Sequence, residues 1–250
     1  MARIPVGLQL YSVREDCKKD LPAVLAAVAK MGYDGVEFAG YHNLSAKELR
    51  KLLDGLKLKC CGTHIGIDTL TGDALKATIA YNLELGNPYL IVPWVEEKYR
   101  NSRAACENMA RLFNGIAEKL APHKLRTGYH NHDCDSKPID GCVPLEVFGA
   151  SSNRDVILQV DTANMLHGGG DPVAYLKKFP GRAGTVHLKE FSKINDKALI
   201  GEGEVKWKEV FAACEGAGKT EWYIVEQESY ATPPLECVAQ CLKNLRKMGK

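Results

Sequence analysis

The chain has 250 residues, 45% of them hydrophobic, with 33 basic and 31 acidic side chains giving a formal net charge of +2. That length fits one large α/β barrel of about 250 residues, and no Pro/Gly/Ser-rich or low-complexity stretch divides it, so residues 1–250 read as a single domain. The charges are spread rather than gathered, which argues against the concentrated basic footprint of a nucleic-acid binder.

Met1-Ala2-Arg3 runs straight into Ile4–Leu10, too short and too soon polar for a leader. The first strand candidate is Val6–Leu10. Asp20 then caps a helix with Pro22 in its first turn and Leu21, Val24, Leu25 and Val28 on one face, ending near Gly32. After a strand at Gly35–Phe38, Ser45-Ala46-Lys47-Glu48 spells a capping box, because the serine oxygen can accept from the third amide while the glutamate reaches back to the cap. Gly55 is expected to stop that helix. Strand Leu58–His64 precedes a helix from Asp73 to Gly86, and strand Tyr89–Val92 precedes a longer one from Ser102 to Leu120 with Ala105, Met109, Leu112, Phe113 and Ile116 inward. Strands Arg126–His130 and Val156–Val160 follow, and the triple glycine Gly168-Gly169-Gly170 reads as a flexible loop. Asp171-Pro172 opens a helix to about Phe179. Strand Gly184–Leu188, a helix from Trp207 to about Gly216, strand Trp222–Glu226 and a helix from Pro234 to about Met248 complete the chain. Lys243–Lys247 falls on the solvated last turn of that helix.

Strands alternating with helices imply parallel pairing through crossovers, and eight such units favour a closed (β/α)8 barrel over an open doubly wound sheet. A dinucleotide-binding sheet would place a glycine-rich turn after its first strand, whereas the chain reads Tyr11-Ser12-Val13-Arg14-Glu15. Nine cysteines, an odd number without a Cys-x-x-Cys pair, suit reduced thiols in the cytoplasm. No apolar run is long enough to span a bilayer, so neither a membrane nor nucleic acid is expected as a partner.

Four groups of metal-grade side chains close the late strands: Tyr129-His130-Asn131-His132, Asp161-Thr162-Ala163-Asn164, His187-Leu188-Lys189-Glu190 and Glu226-Gln227-Glu228. The carboxyl ends of barrel strands are where such folds place their chemistry. Side chains alternate along a strand, so His130 and His132 share one face, as do His187 with Lys189 and Glu226 with Glu228. Any one of these residues alone reads as a hydrogen-bonded structural group or a cap, but burying all of them at one mouth without a cation is costly. Mixed imidazole and carboxylate donors suit manganese, zinc, cobalt or iron better than calcium, and magnesium keeps more waters. No cysteine sits in these groups, so the metal is expected to be catalytic rather than structural. Early strands add Gln9, Tyr11, Glu37, His64 and Trp94, of which His64 and Trp94 suit a polyol and Glu37 suits either substrate contact or a salt bridge in the barrel floor.

These residues resemble the xylose isomerase-like TIM barrels, a group of sugar isomerases and epimerases that also holds inosose dehydratases and endonuclease IV-type enzymes. The resemblance covers nearly the whole chain and is carried by Gly7–Arg14, Gly32–Glu37, His64-Ile65-Gly66, the four groups above and Gly201-Glu202-Gly203-Glu204-Val205-Lys206-Trp207. It implies one divalent ion, Mn2+ first, with Zn2+, Co2+, Fe2+ and Mg2+ as alternatives. Asp161, His187 and Glu226 match three of the family's ligands, and the fourth, a glutamate in the two-base epimerases, falls on His130, with His132 as its alternative at this strand. It further implies proton abstraction next to a carbonyl of a sugar, keto-sugar or inositol derivative. Glu226, His130 or His132 would be the base, and Lys189 would neutralise an enolate or carry a proton. Gln9, Glu37, His64, Trp94, Asn164 and Glu228 would contact the carbohydrate. Because a histidine replaces one glutamate of the two-base pair, a dehydratase or lyase is the runner-up. An endonuclease IV-like phosphodiesterase fits less well, since that branch uses more His and Glu ligands on early strands and a basic track. A polyol-binding barrel without catalysis is the third reading. No cluster of glycines and arginines marks a phosphate site, which favours an unphosphorylated substrate, and a homo-oligomer is compatible with all of these readings.

Overall fold

The computed structural model describes residues 3–250. Met1 and Ala2, the start of the run read as no leader, lie outside them.

Short runs rich in β-branched and aromatic residues form β1 (Val6–Gln9), β2 (Gly35–Ala39), β3 (Lys59–His64), β4 (Tyr89–Val92), β5 (Arg126–His130), β6 (Ile157–Asp161), β7 (Thr185–Leu188) and β8 (Trp222–Val225). Each pairs in parallel with the next, and β8 pairs with β1, closing a barrel. The expected (β/α)8 architecture is therefore the observed one, with strand limits within about two residues of those read from the sequence.

Between the strands lie α1 (Arg14–Met31), α2 (Ala46–Leu56), α3 (Ala74–Leu85), α4 (Arg103–Leu120), α5 (Asp133–Ser136), α6 (Pro144–Ser151), α7 (Thr162–His167), α8 (Pro172–Lys178), α9 (Trp207–Ala213) and α10 (Pro234–Lys247). Asp20 does cap, its Oδ1 accepting from the Ala23 amide at 2.9 Å. It does so inside α1, where its extended backbone (φ −156°) joins an earlier helical turn to the expected helix. The Ser45/Glu48 capping box is present. Contrary to expectation, α2 runs through the exposed Gly55 and stops after Leu56, where Lys57 turns left-handed (φ 58°). α9 continues past Gly216 as a π-helical turn, Cys214–Gly218. The triple glycine forms the loop between α7 and α8, as expected, with Gly169 in open space, and Gly168 also serves close packing. A Cβ at Gly168 would lie 2.3 Å from the Asp133 carbonyl oxygen and 2.6 Å from the Ser136 Cβ, so only glycine lets α7 approach α5.

Outward-facing Leu8, Val36, Leu90, Leu158, Val186 and Val225 pack against Leu25, Leu49, Phe113, Leu176, Val210 and Leu242 of the surrounding helices, forming one continuous apolar shell. The alternate, inward positions near the carboxyl ends are polar: Gln9, Glu37, His64, His130, Gln159, Asp161, Thr185, His187 and Glu226. Between β2 and β3 the register slips by one residue, so that Val36 faces Cys60 but Glu37 faces Gly62. The nine cysteines are free thiols. Among the described residues no helix is long and apolar enough to cross a membrane.

Candidate metal and carbohydrate site

The four late strands deliver His130, Asp161, His187 and Glu226 to one point, all buried, with one ligand atom from each lying within 4.8 Å of the others. Pairing in register explains the convergence: Asp161 stands opposite His187 across β6 and β7, and His130 stands opposite Gln159 across β5 and β6. His132 is not in this group. It extends the inward face of β5 by two residues, and its ring meets the His130 ring at 5.1 Å and the Trp94 ring edge-on at 5.1 Å.

Asp161 is the site's informative acid. Its Oδ1 caps α7 by accepting from the Asn164 amide at 2.7 Å, while its Oδ2 is buried with no hydrogen-bond partner. Burial, reinforced by Glu226 and opposed by Lys189, raises its carboxyl to about 7. A buried carboxylate oxygen without a partner costs on the order of 1–3 kcal/mol or more. The donor set around it, two imidazoles and two carboxylates without a thiolate, is one a divalent cation satisfies.

Beneath these groups lies a hydrogen-bonded floor that fixes them. Gln9 and Glu37, expected to touch substrate, are fully buried in it. The Gln9 amide nitrogen donates to Glu37 Oε2 at 2.7 Å, and the Gln9 oxygen accepts from the Tyr11 amide at 3.0 Å. Glu37 Oε2 faces His187 Nε2 at 2.6 Å and His64 Nε2 at 3.2 Å. Glu37 thus takes the floor salt-bridge position, the other of its two expected roles. Gly62 makes room for it, since a Cβ there would sit 2.5 Å from Glu37 Oε1.

Gln159, which the sequence reading passed over, ties the floor together. Its amide nitrogen donates to Glu37 Oε1 and Thr185 Oγ1, both at 2.8 Å, and its oxygen faces His64 Nε2 at 2.7 Å and His130 Nδ1 at 3.1 Å. Because a carboxylate can only accept, the Gln159 oxygen must point at the histidines, and both imidazoles donate to it. His130 is thereby held with its proton on Nδ1 and its Nε2 lone pair free. Burial, then His187 and His64, push the His130 pKa well below the ordinary range, keeping it neutral. His187 lies between two acids, its Nδ1 being 2.9 Å from Glu226 Oε2. Burial disfavours its charge, but Glu37 and Glu226 outweigh it and raise its pKa to about 10.

Above the floor opens a cavity of about 430 Å³ lined by Tyr11, His64, Trp94, His130, His132, Glu226 and Glu228, among others. Trp94 is 52% exposed and Tyr11 43%, each with an arginine stacked on its ring, Arg100 at 4.9 Å and Arg14 at 4.4 Å. His132 Nδ1 is buried without a partner, and burial lowers its pKa. A second group missed in the sequence, Asp135, braces this wall: it accepts from the His132 amide at 2.7 Å and from the Tyr129 hydroxyl at 3.0 Å, and approaches Arg100 at 3.8 Å. Lys189 pairs with Glu228 and reaches Asn164 Oδ1 at 3.4 Å. Glu226, Asp161 and Glu228 overcome its burial and hold it charged. Of the twelve residues expected to serve the site, the structure gathers His130, Asp161, His187 and Glu226 at its centre. It sets His64, His132, Trp94 and Glu228 on the cavity wall, Lys189 and Asn164 at its border, and Gln9 and Glu37 beneath it.

This barrel, with its polar upper layer and its convergent late-strand histidines and acids, belongs to the xylose isomerase-like TIM barrel family, whose match spans residues 25–248. Among relatives, the chain is 21% identical over 245 residues to an inosose dehydratase of Clostridium botulinum (strain Alaska E43 / Type E3), covering 82% of this chain and 80% of that protein. Among solved structures, it resembles a sugar phosphate isomerase/epimerase from Parabacteroides distasonis with a TM-score of 0.86 at 22% identity, covering 98% and 94% of the two chains. It also resembles an L-ribulose 3-epimerase with a TM-score of 0.72 at 16% identity, covering 98% and 94%. At such identities the structural likenesses establish the fold.

Proposed function

We propose that the protein is a divalent-metal-dependent enzyme that removes a proton next to the carbonyl of a sugar, keto-sugar or inositol derivative, in the manner of the sugar isomerases and epimerases. The observation that carries this reading is the partnerless, buried Asp161 Oδ2 facing His130, His187 and Glu226. His130, Asp161, His187 and Glu226 would hold the ion, with Mn2+ the first choice. When bound, it supplies positive charge for the substrate oxygen that becomes negative as the proton leaves.

The chain's own groups do the rest. Glu226 borders the cavity and is kept ionised against its burial by Lys189 and His187, so it is the base. His132, a neutral imidazole on the cavity wall, would exchange a proton with the substrate. Trp94 and Tyr11 offer apolar faces to a ring, His64 offers an imidazole edge, and Lys189 adds positive charge beside the acids. Because His130 stands where the two-base epimerases carry a glutamate, the partner base here is His132. The inosose dehydratase relative supports a second outcome of the same first step, loss of a neighbouring hydroxyl instead of return of the proton.

The test is uptake of solvent deuterium into a panel of ketoses, keto-glycosides and inosose by the Mn2+-loaded protein. Glu226→Gln should fold normally and lose exchange by about 10²–10⁴-fold. Exchange at the wild-type rate in that variant, or a protein that takes up no metal, refutes the proposal. Whether the product is an epimer or a dehydrated sugar separates the two outcomes.

A further inference from the structure

The cavity above the metal ligands is not the end of the site. A second cavity of about 240 Å³ lies beyond it, bordered by Asn164, His167, Lys189, Asn195, Asp196 and Glu228. Glu228 lines both chambers, and its ion pair with Lys189 stands at the boundary. The annex is built rather than incidental. Its base is fixed by Glu190, whose two carboxylate oxygens accept from the Phe191, Gly201 and Val205 amides and from the Trp207 indole at 2.6–3.1 Å. Its roof is a tight turn in which Ser192 Oγ accepts from the Ile194 and Asn195 amides, and Asn195 Oδ1 accepts from the Lys197 amide.

The lining selects the occupant. Amide, hydroxyl and imidazole groups both donate and accept, as the hydroxyls of a sugar do. Lys189, the cation of the annex, is already paired with Glu228, and Asp196 adds a negative charge, so an anionic group such as a phosphate meets no free counter-charge. The two chambers together stay within the few hundred to about 1,000 Å³ of small-ligand sites.

We infer that the substrate consists of two linked polyhydroxylated rings, the reacting keto ring over His130, Asp161, His187 and Glu226 and an uncharged second ring in the annex beyond the Lys189–Glu228 pair. The inference rests on the proton-abstraction reading, and its test separates the two. Solvent deuterium uptake next to the carbonyl is followed with three probes on the Mn2+-loaded protein: a one-ring keto-hexose, the same keto-hexose glycosidically linked to glucose, and its one-ring phosphate ester. The two-ring probe should show a kcat/KM at least about tenfold above the one-ring probe. Asn195→Trp and His167→Trp, both at exposed positions, should fill the annex and erase that ratio. Equal values for the one-ring and two-ring probes, a ratio that survives both substitutions, or a phosphate ester that outruns the two-ring probe overturns the annex while leaving the proton-abstraction reading standing. Exchange with none of the three overturns both.

Discussion

Replacing Gln159 with methionine keeps nearly the same volume while deleting both its donors and its acceptor. His64 retains Glu37 Oε2 at 3.2 Å, and the Thr185 hydroxyl can rotate to another partner. Glu37 Oε1 and the His130 Nδ1 proton lose the 2.8 Å and 3.1 Å contacts that satisfied them. Two buried polar groups left unpaired cost about 2–6 kcal/mol, a large share of the roughly 5–15 kcal/mol that stabilises a typical protein. The same change frees His130 to rotate or to move its proton to Nε2, which would hide the lone pair that faces Asp161 and Glu226. Removing an outer partner of a metal-binding histidine lowers metal affinity by about 10–100-fold. Urea denaturation measures the first effect, calorimetric titration with Mn2+ the second, and ¹⁵N-resolved imidazole spectra report the tautomer. Unchanged Mn2+ affinity in a folded Gln159→Met protein, with His130 still protonated at Nδ1, would refute the claim that the floor sets the ligand.

The raised His187 pKa makes metal-free stability depend on pH. Its folded value is about 10 against an ordinary 6.5, so its contribution is complete below about pH 6.5 and is lost as pH rises through about 10. Urea midpoints of chelator-treated protein should fall across that window, and Glu37→Gln should shift the fall to lower pH. An identical pH profile in that variant would show that Glu37 does not hold the proton. Glu190→Gln replaces one acceptor oxygen by an amide nitrogen facing two N–H donors and should cost about 3–6 kcal/mol, as two hydrogen bonds to a charged acceptor are lost. Amide exchange should speed either at Gly201 or at Phe191 and Val205, according to which oxygen the amide nitrogen replaces; protection equal to wild type at all three would mean the loop is held by other contacts.

The strands and the four metal-grade residues were legible because each such residue stands at or near the carboxyl end of a short strand-like run, a purely local signal. Helices α5, α6 and α7 were not, since four to eight residues are too few to display a 3.6-residue period. The packing role of Gly168 was hidden for a related reason: glycine marks both loops and close contacts, and only the position of α5 shows that this loop residue is also a close contact. The roles of Gln9 and Glu37 depended on something no single strand encodes, the stagger of one strand against the next. Glu37 meets a histidine 150 residues away, and the register slip beside Gly62 moves β3 relative to it.

Gln159 is the case in which a signal was present but lacked weight. A glutamine inside Val156–Val160 breaks an otherwise apolar buried run, and its spacing of two from Asp161 puts both on the same face. An uncharged polar residue buried in a strand must satisfy its donors and acceptor from neighbouring strands. Once His64 and His130 are assigned to the mouth, the parity of β6 leaves their ring N–H groups and the Glu37 carboxylate as its partners. The same logic applies to Thr185, two residues before His187. In a barrel of this kind the residue two positions before a metal ligand lies directly beneath it, so polarity there points to the groups that set the ligand's proton, and apolarity there points to packing alone.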